Sequence, residues 1–261
     1  MKTVRLISLA LRFHWDAHRS NKANLIAGTF GMLVNNVIVL WGLWAMLFDG
    51  KPQGQALTVY FLSLNALVSI SWGAVSFLLG GLRSLAEYIE EGTLEPMLAT
   101  PRHPLLLVGI SQSLTPALGD VLQGGCNLIA LFFIATPGLA VRCAALTVVS
   151  AVAFAALFIL AGSVPFFVRR GSALAQLLVE TNLSLSFYPT GKMFTERGRL
   201  FLYVIPAAAT GVLPATAVER GTWSAGIWAA AMAMLFFGVS LKVFGLGLRR
   251  YQSASYVMAR S

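Results

Sequence analysis

The sequence predicts an all-α fold, a polytopic transmembrane helical bundle of six spans. Three observations carry that expectation. Hydrophobic residues make up 57% of the chain and charged residues 11%, where a water-soluble domain has about 25% charged. The apolar residues fall in runs of roughly 20, the length that crosses about 30 Å of hydrocarbon at 1.5 Å per helical residue. Runs such as "VVSAVAFAALFILAGSVPFFV" lack the strict alternation that the segments of a membrane β-barrel require.

Residues 1–22 hold five Lys or Arg interleaved with Val4, Leu6, Ile7, Leu9, Leu11, Phe13 and Trp15. That is too charged to span and suits an amphipathic helix lying in the headgroup region, with Trp15 as its interfacial anchor. Arg12 breaks the apolar stretch and no small-residue cleavage site follows, so a cleaved leader is not expected. The six spans are predicted at 23–48, 57–82, 105–135, 142–168, 173–190 and 222–246. The third is overlong and contains Pro116, which predicts a kink or an interfacial start. Cys126 and Cys143 are expected at different depths, too far apart for a disulfide.

Lys and Arg placement sets the orientation. With the N-terminus inside, inner segments hold 13 basic residues and outer ones 6 of the 19. Both termini and the connection at 83–104 are then cytoplasmic. Residues 191–221 are nearly long enough to cross but contain Pro206 and Pro214. A full crossing would put the basic C-terminus outside, so a re-entrant hairpin is expected, with its backbone buried by other protein.

The first inner connection is anomalous. Glu87, Glu90, Glu91 and Glu95 are four of the ten acids, within nine positions of a chain carrying +9. At about 100° per residue, Leu85, Tyr88 and Ile89 share one helix face and the glutamates the opposite one. Gly92 should end this helix. Thr93 is expected to cap a second one, in which Leu94, Met97 and Leu98 form a stripe and Glu95 and Pro96 suit the first turn. Pro101 and Pro104 should then force the chain out of helix. A carboxylate stripe facing an anionic leaflet is either a solvated loop helix or a docking surface for a basic partner, and the tight punctuation favours docking.

The run "EYIEEGTLEPMLATPRHPL", followed in order by "FYPTGKMF", "VIPAAATGVLPA" and "GLGLRRYQSASY", resembles the six-span permease subunits of type-2 ATP-binding-cassette exporters over nearly the whole chain. The resemblance implies a coupling helix at 84–99 that sits in a groove of a separate ATPase. Tyr88, Glu87, Glu90, Glu91, Leu94, Glu95 and Met97 would form that docking surface. It divides the chain into an N-terminal interfacial helix, 1–22, and a permease domain, 23–261, with re-entrant helices near the outer surface. The implied partners are two ATPase subunits, a second permease subunit (identical or paralogous) and membrane lipids, with no nucleic acid. The implied location is a bacterial cytoplasmic membrane.

No nucleotide site is expected in this chain, so ATP and magnesium belong to the partner. "SFYPTGKM" lacks the leading Gly of a phosphate loop, and Met193 stands where Ser or Thr would hold magnesium. His14 and His18 share a helix face, but Trp15 replaces the Glu of a zinc-protease motif. They are expected to be interfacial histidines. Inside the spans, Asp120 forms a polar stripe with Gln123, Gly124 and Asn127, read as interhelical hydrogen bonding. Asn65, Ser69 and Trp72, and Gln176, Glu180 and Ser184, form stripes that either do the same or line a substrate route. Pairs at Gly28 and Gly31, and at Gly73 and Gly80, permit close helix packing. Two rivals remain on sequence alone. One is a membrane enzyme acting on lipid-linked substrates, and the other an ion-coupled transporter using Asp120 and Glu180.

Overall fold

A computed structural model describes residues 2–48, 54–189 and 205–251. These residues are all-helical. Helix α1 (Lys2–Ser20) leads into α2 (Lys22–Phe48) and α3 (Gln55–Leu78). The short helices α4 (Leu85–Glu90), α5 (Glu95–Leu98) and α6 (Pro104–Gly109) follow. Then come α7 (Ala117–Ile134), α8 (Pro137–Gly162), α9 (Ser172–Phe187), α10 (Leu213–Glu219) and α11 (Ser224–Arg250). Five of these, α2, α3, α7, α8 and α11, are long and apolar enough to cross a membrane. The fifth predicted span, 173–190, meets α9, whose 16 residues rise only about 24 Å.

Helix α3 is the central strut, packing against α7, α8 and α10, while α2 covers α7 and α11 covers α8. The most extensive helix–helix contact is between α3 and α7, and glycine makes it possible. A Cβ on Gly73 would lie 2.6 Å from the Ala117 carbonyl oxygen, and one on Gly124 would lie 2.6 Å from Ile70 Cγ1. Of the predicted small-residue pairs, Gly73 and Gly80 do face neighbours closely, whereas Gly31 has open space. Around the strut, Tyr60, Leu64, Leu67, Phe154 and Phe158 form the fully buried core. Trp72 meets the edges of Phe154 and Phe158 at 5.5 and 5.1 Å.

Several boundaries differ from expectation for identifiable reasons. The overlong third span is two helices, α6 and α7, separated by residues 110–116 ahead of Pro116. The fourth begins five residues early, at Pro137, which occupies the first helical turn. Its Arg142 is accommodated inside the helix by lying 5.1 Å from the Trp223 ring, a contact worth about 0.5–1 kcal/mol at exposed sites. Pro104 starts α6 rather than ending a helix. Leu94, not Thr93, precedes α5, with no side-chain cap.

The N-terminal helix is also pinned rather than loose. His14 Nε2 donates to the Ile110 carbonyl at 2.9 Å, and His18 contacts Ser113 Oγ at 3.2 Å and Thr115 Oγ1 at 2.7 Å. Both histidines, expected among lipid headgroups, are therefore bonded to the 110–116 link. Burial, with His14 second, lowers the pKa of His18. Thus α1, the 79–116 connection, residues 163–171 and the end of α11 gather at one end of the bundle. That relative arrangement matches the side shared by the predicted inner segments.

The segment expected to re-enter is described only from residue 205. A π-helical turn, Ala208–Val212, precedes Pro214 and runs into α10; the wider turn suits a residue that lacks a donor and crowds the carbonyl four back. Gly211 approaches Leu64 and Val68 midway along α3, and Gly221 lies beside Leu139 and Arg142 at the end opposite α4. Residues 191–204 lie outside the described residues.

Candidate functional site

At the inner-connection end, α4 and α5 form a short lever rooted in the bundle. Leu85, Ile89 and Leu94 are buried in the core, while Glu87, Glu90 and Glu91 are exposed. Gly92 makes the bend with φ of +74°, a conformation that costs other residues roughly 1–2 kcal/mol. The Leu94 N–H then closes the turn on the Tyr88 carbonyl at 3.1 Å.

The expected docking residues divide in two. Glu87 and Glu91 are exposed, and Met97 and Glu95 are half-buried. Tyr88 turns inward: its hydroxyl accepts from Gln112 Nε2 at 2.7 Å and shares a hydrogen bond with Ser111 Oγ at 3.1 Å. Leu94 is wholly buried. Glu90 accepts the Ser172 N–H at 2.8 Å and its Oγ at 2.7 Å. It thereby caps the first residue of α9 and ties the lever to that helix. Sequence reasoning did not find Ser111, Gln112 or Ser172 as the lever's anchors. The available signal was the polar run Ser111–Ser113 inside an apolar stretch, which had been read as one span.

Two cavities hold most of the expected route residues. One, about 480 Å³, opens beside the lever and is lined by Arg83, Glu87, Gln112, Gln176 and Glu180. Arg83 also lies 4.8 Å from the Trp72 ring. The second, about 530 Å³, is lined by Asn36, Asn65, Trp72, Asp120 and Ser184. Ser69 reaches neither and is fully buried. Asp120 accepts from Asn36 Nδ2 at 2.6 Å, so it joins α7 to α2. Asn36 was not singled out from sequence.

Residues 48–255 match the family described as ABC-2 family transporter protein. The chain belongs to the ABC-2 transporter family. It is accordingly a multi-pass integral membrane protein and a transport component of the permease type, a family that works with an ABC ATPase. No curated protein and no solved structure matches this ABC-2 chain. Among the described residues, no group of three or more His, Cys, Asp or Glu is placed to hold a metal ion.

Proposed function

We propose that this chain is the membrane-spanning subunit of an ATP-driven exporter in a bacterial cytoplasmic membrane, with both termini cytoplasmic. Two ATPase subunits, which hold ATP and magnesium, dock beneath it, and a second permease subunit completes the route. The observation that carries this reading is the two-faced lever. Glu87 and Glu91 are exposed on a helix whose other face, Leu85 and Ile89, is buried in the core. Held at i,i+4, those carboxylates repel by about 0.2–0.5 kcal/mol, which a basic partner surface would offset. Met97 and Glu95 extend the contact. Tyr88, Glu90 and Leu94 stiffen the lever, so that displacement of α4 is passed to α8 and α9, against which it packs.

Gln176, Glu180 and Ser184 lie four residues apart on the exposed face of α9 and line the route, with Asn65 and Trp72 beside Ser184 in the second cavity. Glu180 favours a cationic or polar group on the cargo. The described part of the segment expected to re-enter, residues 205–221, dips into the bundle from the outer surface, and the depth of Gly211 beside Leu64 and Val68 supports that reading.

The docking surface is tested by reversing charge at Glu87→Lys and Glu91→Lys together. The expected result is a subunit that keeps its helicity and elution volume but no longer copurifies with its ATPase. A double variant that retains the ATPase and exports normally overturns the proposal.

A further inference from the structure

Three arginines that neither the lever nor the route uses surround one depression at the lever end of the bundle. Arg169 and Arg170 come from the α8–α9 connection and Arg250 from the last residue of α11. Glu90, Phe166 and Tyr251 complete the wall of a cavity of about 510 Å³. The one carboxylate in that wall, Glu90, already accepts two hydrogen bonds from Ser172. No carboxylate pairs with the three guanidinium groups among the described residues, leaving the cavity with a cationic surplus.

An oxyanion in the cavity would meet the three arginines, whose forked donors match phosphate oxygens.

The rim decides which oxyanion. Phe167 and Val168 are 45% and 47% exposed beside the cavity, and Arg250 Cζ lies 5.6 Å from the Phe167 ring centroid. Inorganic phosphate would leave those apolar side chains uncovered, whereas an acyl chain would cover them. Basic pockets between membrane helices are suited to anionic headgroups. We infer that the depression bounded by Arg169, Arg170, Arg250 and Tyr251 binds the phosphate of an anionic phospholipid, with Phe167 and Val168 against its acyl chain. The site stands whether or not the ATPase docks as proposed, because no residue of the exposed acidic pair Glu87 and Glu91 takes part.

The test uses the full chain, delipidated in a neutral detergent and titrated with phosphatidylglycerol, phosphatidylcholine or inorganic phosphate, with binding read by native mass spectrometry. Phosphatidylglycerol is expected to bind saturably and phosphatidylcholine at least tenfold more weakly. Replacing all three arginines (Arg169→Gln, Arg170→Gln, Arg250→Gln) should weaken phosphatidylglycerol roughly a hundredfold. A matched loss of three charges on α1 (Arg5→Gln, Arg12→Gln, Arg19→Gln) should leave the affinity intact. Should the triple variant fail to fold, Arg169→Gln and Arg250→Gln singly give the same reading. Unchanged binding in the pocket variants overturns the inference. So does equal loss in the α1 control, or displacement of the lipid by millimolar phosphate, which would mark a simple anion site.

Discussion

Helices α3 and α9 both carry a polar stripe along an otherwise apolar segment, and the structure buries the one and exposes the other. In α3, Asn65, Ser69 and Ser76 are all buried, and Asn65 Nδ2 donates back to its own Phe61 carbonyl at 2.9 Å. In α9, Gln176, Glu180 and Ser184 are exposed, and only Ala175, Asn182 and Ser186 are buried. Enclosure follows the same division: 15 of the 24 residues of α3 are buried, against three of the 16 of α9. A polar stripe is thus a packing device where neighbours close over it, and an available surface where they do not. The α3 core is the frame, and α9 presents its polar stripe on an open surface.

The most severe way to break this contrast is to wedge the frame. Gly73→Leu places a side chain where even a Cβ meets the Ala117 carbonyl. Overpacking of this kind costs about 1–3 kcal/mol or more, so the melting temperature in detergent should fall by many degrees. Gln176→Leu on α9 should leave the melt unchanged and alter transport. Equal melts for both variants would mean that α3 is not the strut.

A smaller loss is expected at Asn36→Leu, which leaves buried Asp120 without its donor, at about 1–3 kcal/mol. The double variant Asn36→Leu, Asp120→Leu should recover most of the loss in thermal melting. No recovery would mean that the pair does not act together.

Smaller again is Glu90→Ala. Removing a helix cap costs about 0.5–2 kcal/mol, and hydrogen exchange should accelerate at 172–175 while α3 stays protected. If protection at 172–175 is unchanged, the lever is not tied to α9 through this carboxylate.

The smallest effect concerns α1. His18 has a lowered pKa, so its folded contact favours the neutral ring. Docking of α1 is therefore at full strength above the ordinary histidine pKa of 6.5 and weakens as pH falls below it through the lowered value. Trp15 fluorescence should report release between neutral and mildly acidic pH in the native chain, and no such transition in His18→Ala.

Much of this was legible in sequence because it depends on local signals. Run length and hydropathy located the helices, and Gly92 together with the glutamate stripe located the lever and its bend. What escaped notice depends on partners far apart in the chain. Nothing local tells that Glu90 will cap a helix 82 residues on, that Asn36 will satisfy Asp120, or that His14 and His18 will seek the 110–116 link. The split of the third predicted span was half legible: Pro116 announced a break, but its extent depends on Gly80 and Gly81 admitting the 108–113 backbone at close range. For the candidate site, periodicity separated exposed Glu87 and Glu91 from buried Leu85 and Ile89. Tyr88 and Leu94 face inward because Ser111, Gln112 and the bend draw them there.

The proposed function turns on the acidic lever facing the compartment that holds the ATPase. The direct measurement is thiol accessibility of Glu91→Cys in a background with Cys126→Ala and Cys143→Ala, using a membrane-impermeant maleimide on intact cells and on inside-out vesicles. Labelling confined to inside-out vesicles is the predicted result; labelling of intact cells would contradict it.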